Sequence, residues 1–78
     1  MENLSMNYSL VVINSDTNEQ AILKPKTTWW SLEGDSLVVS NGYDDFSFKG
    51  EGEWEDEVFT INVKASDYLN IINILNSY

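Results

Sequence analysis

YDDFSFKGEGEWEDEVFTINV, residues 43 to 63, is the stretch whose reading decides the fold. Apolar side chains alternate with polar ones at Phe46 and Phe48, and again at Phe59, Ile61 and Val63. A period of two marks strands with one buried face. Trp54 keeps the same parity, and Gly50 and Gly52 fill the positions between. Five acids, Glu51, Glu53, Glu55, Asp56 and Glu57, surround that single tryptophan.

Upstream of the stretch stands SNGY, residues 40 to 43. Asn-Gly tolerates positive φ at both centres of a tight hairpin turn. A two-residue turn at Asn41-Gly42 places Ser40 opposite Tyr43, Leu37 opposite Phe46 and Ser36 opposite Ser47. Leu37, Val39, Phe46 and Phe48 then share one face. At the other end WEDE is read as a turn centred on Glu55-Asp56, with Trp54 opposite Glu57, Gly52 opposite Phe59 and Phe48 opposite Val63. The two turns give one common apolar face. In LEGDSL a turn at Gly34-Asp35 pairs Leu32 with Leu37 and Trp30 with Val39, with Trp30 inward and Trp29 outward.

Further upstream, NYSLVVIN and EQAILK form a hairpin looped at Ser15 to Asn18. Pro25 closes that unit, because proline cannot donate to a ladder. Leu10 to Ile13 is apolar on both faces, which predicts a central strand. Downstream, SDYLNIINILNSY changes period. Tyr68, Ile71, Ile72, Leu75 and Tyr78 recur at helical spacing, with Asn70, Asn73 and Ser77 as the polar stripe. Ser66 is read as its N-cap, and Asp67 suits the positive end of the helix dipole. The expected fold is therefore α+β, a six-stranded antiparallel curled β-meander packed against one C-terminal α-helix. Strands are expected at about 7–14, 19–24, 27–32, 36–41, 43–54 and 57–64, and the helix at about 66–77. Residues 1–78 are expected to form a single compact domain.

With 78 residues, such a domain buries only roughly 60% of its unfolded surface. That leaves little room for a large internal ligand cavity. The chain has 13 acidic residues, four lysines, no arginine, histidine or cysteine, and a net charge of −9. Such a charge repels nucleic acid and anionic membrane and steers toward basic partners. The absence of cysteine removes disulfides and thiolate metal sites. The N-terminus lacks the pattern of a secretory signal, and no apolar run approaches the roughly 18 residues that span a bilayer. The expected location is the cytoplasm.

The charge is concentrated. Residues 33 to 57 hold nine acidic residues and one lysine, a net −8. On the expected meander the turns at 33–35 and 55–56 lie at one end. Glu33, Asp35, Glu51, Glu53, Glu55, Asp56 and Glu57 then converge there, and residues 48–54 project as a two-stranded ribbon with an acidic tip. Asp45 joins them as a candidate contact on the same strand. Carboxylates two residues apart on a strand are about 6.6 Å apart, and each such pair repels by about 0.6 kcal/mol in water. A basic partner would relieve that cost; solubility alone is the competing account. Trp54 is either a cap on the core or an anchor with an acidic rim, a favoured hot-spot chemistry. Trp29, pointing outward, packs against the chain or marks a second contact surface.

Catalysis finds little support. Without His, Cys or Arg only carboxylates, Lys, Tyr and Ser remain, and acid–base work by two carboxylates needs a desolvating cleft. No phosphate-cradling glycine motif occurs. Asp44-Asp45 and the acidic tip could hold Ca²⁺ or Mg²⁺ only weakly, since EF-hand spacing is missing. No cofactor is expected.

The sequence thus predicts a small acidic non-enzymatic binding protein that inhibits a basic, nucleic-acid-handling protein without binding nucleic acid or membrane itself. Its carboxylate row, one per about 6.6 Å, is of the same order as the one phosphate per about 3.4 Å of each DNA strand. By size and charge, not by motif, it is similar to small acidic inhibitors of phages and plasmids, such as anti-CRISPR proteins and glycosylase inhibitors, and to DNA mimics. Two alternatives stand beside it. One is an assembly module, open to homo-oligomerisation, acting through an exposed strand edge and the apolar helix end. The other is a small carbohydrate-binding module using Trp29, Trp30 or Trp54.

Overall fold

A computed structural model describes residues 4–76. A short 3₁₀ turn at Leu4–Met6 precedes seven strands: β1 Ser9–Asn14, β2 Gln20–Leu23, β3 Trp29–Glu33, β4 Ser36–Ser40, β5 Asp45–Lys49, β6 Glu51–Glu55 and β7 Val58–Val63. The helix α1 spans Ala65–Asn76. The strands form two sheets, one ordered β2-β1-β7-β6 and one ordered β3-β4-β5. The α+β class stands, but the single antiparallel meander does not.

Two things break the meander. The strand expected at 43–54 divides at Gly50. Its first half pairs with β4, Ser36 opposite Lys49, and its second half pairs with β7, Glu51 opposite Asn62. A side chain at Gly50 would collide with the main-chain oxygen of Asn62. Strands that pass from one sheet to another turn such corners at a bend, and glycine permits the close backbone approach. Second, β1 runs parallel to β7, Ser9 opposite Val58 through Asn14 opposite Val63. The acidic β6–β7 ribbon is therefore no free projection, because β7 is held by β1 on its other side.

Both tight turns flanking the quoted stretch are displaced. Ser40 faces Asp45 and Leu37 faces Phe48, so the loop holds four residues, Asn41 to Asp44. The Asn41 side chain accepts hydrogen bonds from the Tyr43 and Asp44 amides, both at 2.8 Å, and its own amide donates to the Asp44 carbonyl. Asn41 satisfies this loop without adopting the positive φ that the tighter turn demands. At the other end Trp54 faces Phe59, not Glu57, and Glu55 faces Val58. That turn centres on Asp56-Glu57, with Asp56 left-handed at φ 56°. Each slip is two residues, which preserves the face of every side chain; a slip of one would have inverted it.

The remaining pairings follow the sequence reading. Leu32 faces Leu37 and Trp30 faces Val39. β1 lies between β2 and β7, with the loop at Ser15 to Asn18 as expected. Trp30, Leu37 and Val39 pack with Leu10, Val12, Phe48, Phe59, Ile61 and Val63 in one core. The helix lies across β1 and β4, one strand from each sheet, and closes the core with Tyr68, Ile71 and Ile74. Ile72 and Leu75 flank that stripe half-buried, Asn70 and Asn73 are exposed, and Ser77 and Tyr78 lie outside the described residues. Ser66 is not the cap. The helix starts at Ala65, the Lys64 carbonyl accepts the first helical bond from the Tyr68 amide, and Asp16 Oδ2 accepts from the Ala65 amide at 3.2 Å.

Candidate interaction site around Trp54

β6 presents Trp54 on its inner face and Glu51, Glu53 and Glu55 on its outer face, as alternation along a strand requires. The indole is 45% exposed. Its neighbours are rings: Phe59 at 5.0 Å, Tyr8 edge-on at 5.0 Å and Trp30 at 6.4 Å. Phe59 in turn stacks on Trp30 at 6.1 Å. Trp54 therefore caps one end of the core and still offers nearly half of its surface. Tyr8, which sequence reasoning did not single out, arrives from the segment before β1.

The glycines shape what lies beside it. Phe59 leans across the position a Gly52 side chain would occupy. With no side chains at Gly50 and Gly52, the inner wall of β6 is low. A cleft of about 330 Å³ opens there between the two sheets. Leu32 and Trp54 supply its accessible apolar surface, over the buried Leu37, Phe59 and Ile61, and Gly34 and Asp35 of the β3–β4 turn complete the lining. A shallower hollow of about 250 Å³ lies between Trp54 and Leu4, Tyr8 and Asp56. The indole thus borders two hollows, each with one acidic residue in its lining.

Of the acids singled out from sequence, Asp35 lines the cleft and Asp56 the second hollow. Glu33 ends β3 beside that turn, Glu51, Glu53 and Glu55 form the outward row of β6, and Glu57 sits in the following turn, its carbonyl accepting from the Ser9 amide. All are exposed. Asp45 departs from them. It begins β5, opposite Ser40, at the end remote from Gly50, and lines a different depression with Trp29, Ser40 and Gly42.

Trp29 is outward as expected, 49% exposed. Trp30 is fully buried and can present no face to a sugar. Its Nε1 and the Thr28 hydroxyl lie buried without a hydrogen-bond partner among the described residues. Among the described residues no group of three or more acidic side chains is gathered to hold a metal ion, and no helix is long and apolar enough to cross a membrane. The carboxylates are arrayed along an edge and around a rim, a geometry suited to opposing a spread of positive charge. No family model, curated protein or solved structure matches this chain, so its residues alone carry the functional reading.

Proposed function

We propose that this chain is a non-enzymatic acidic binding protein that neutralises a basic, nucleic-acid-handling protein, in the manner of small phage-borne anti-defence inhibitors. The observation that carries the reading is the half-exposed Trp54 set beside a cleft between the two sheets, within the acidic stretch of β6 and its turns. Binding hot spots combine a desolvated aromatic centre with a polar rim that excludes water. Carboxylates on that rim raise the encounter rate with a cationic surface and reject anionic ones. The same charge opposes direct binding to DNA or RNA.

The test is capture of partners from a host lysate at low salt, with release by a salt step and identification by mass spectrometry. The captured proteins should be nucleic-acid-binding, and Glu51→Lys with Glu53→Lys should abolish capture while circular dichroism shows the native fold. A gel shift showing that the chain binds nucleic acid at physiological salt would overturn the reading. So would unchanged capture by the folded double variant.

One observation favours assembly as a second reading. β2 is the edge of its sheet opposite the acidic β6, and Ile22 on it is exposed. Self-association through that edge would persist at high salt, and light scattering across a salt series separates the two readings.

A further inference from the structure

We propose that the cleft beside Trp54 is the seat of a single arginine side chain from the basic partner. The proposal deepens, and rests on, the reading of this surface as a site for a cationic protein. At about 330 Å³ the cleft lies at the foot of the range of roughly 300–1,000 Å³ that holds small ligands. It suits one long side chain and not a drug-sized molecule or a helix.

Its lining runs from apolar to acidic. Leu32 and the half-exposed Trp54 form its accessible apolar part, over the buried Leu37 and Ile61, and Asp35 stands in the β3–β4 turn that completes the lining. Amphipathic side chains lay an aliphatic stem on such a surface and keep the charged head at the polar end. Trp54, nearly half exposed, offers an indole to the head group. A planar guanidinium stacks on an indole and presents a fork to a carboxylate, whereas an ammonium is a strongly hydrated point charge. The setting is complementary in sign: residues 33–57 carry a net −8, and Glu51, Glu53 and Glu55 line the outer face of the same strand. Asp35 in the lining and the net negative charge of the surrounding stretch disfavour an anionic occupant.

The test is a titration of the ¹⁵N-labelled chain with N-acetyl-arginine amide, N-acetyl-lysine amide and N-acetyl-norleucine amide. The readouts are the Trp54 indole N–H and the Gly50 and Gly52 amides. Saturable shifts at these signals with the arginine probe are expected, with several-fold weaker binding of the lysine probe and none of the neutral one. Asp35→Asn should weaken the arginine probe a few-fold, the scale of an exposed charge pair. Asp44→Asn, the same change of charge at the far end of β5, should not. Leu32→Phe should narrow the cleft and reduce binding with no change of charge.

Equal binding of the norleucine or lysine probe would overturn the inference. Shifts spread over Glu51 and Glu53 with Trp54 unmoved would also overturn it, yet would leave the broader acidic-surface reading standing. Conversely, a cleft that takes arginine while the Glu51→Lys, Glu53→Lys variant captures the same proteins would keep the arginine seat and remove the role of the outer acidic row.

Discussion

Phe59 holds more of this site together than any acid in it. Its ring stacks on Trp30, meets Trp54 and covers Gly52. Phe59→Ala should cost about 3–5 kcal/mol, as truncation of a buried aromatic does, which would leave a domain of about 5 kcal/mol only marginally stable. Trp54→Ala should be milder, about 2 kcal/mol, because only about half of the indole leaves water on folding. Circular dichroism should show it folded and urea titration should show a lowered midpoint. A cost as large as that of Phe59→Ala would mean that Trp54 is simply a core residue. Gly52→Ala tests the close approach: its methyl would collide with the Phe59 ring, and overpacking of this kind costs about 1–3 kcal/mol. If Gly52→Ala is neutral, the ring does not lie where the structure puts it.

At the scale of elements, the alternation of apolar and polar residues told which side chains face inward, and the structure agrees for Trp30, Leu37, Val39, Phe48, Phe59, Ile61 and Val63 but leaves Phe46, read on the same face, exposed. It could not tell the register. Slips of two residues leave that alternation unchanged, and only the hydrogen bonds of Asn41 and the left-handed Asp56 decide between the options. The division of the long strand was half legible. A glycine inside a strand marks a bend or a close backbone approach, but nothing local to Gly50 says that the chain changes sheets there. The helix start was misread because its cap comes from elsewhere in sequence, Asp16 in the β1–β2 loop. Ser66→Ala should therefore shift stability by less than about 0.5 kcal/mol, where loss of a true N-cap costs about 1 kcal/mol. Asp16→Ala should cost more than Ser66→Ala, and matched thermal melts of the two variants check the order.

Across the whole molecule the charge gives two opposite salt dependences. Screening shortens the reach of each carboxylate to about 10 Å at 0.1 M salt. Raising sodium chloride from about 10 mM to a few hundred millimolar should raise the melting temperature, because self-repulsion at a net −9 is relieved. The same change should weaken partner binding. A melting temperature that falls with salt would show that attractive pairs, not repulsion, dominate the surface. The concentration of acids between Glu33 and Glu57 was legible because it is a property of the sequence itself, whereas the placement of Asp45 at the far end of β5 was not. The cleft was not, because it depends on how two sheets splay around Gly50 and Gly52.

The parallel pairing of β1 with β7 sets a timetable for the chain as it is made. β1 meets β2 within a few residues, but its other neighbour begins only at Val58. At roughly 5–20 residues per second, synthesis leaves one long side of an apolar central strand without its mate for several seconds. During that interval the nascent chain offers an open edge to any other strand nearby. The acids of residues 33–57 emerge in the same interval, before β7. Their like charge opposes the approach of another copy before the last strand closes the gap.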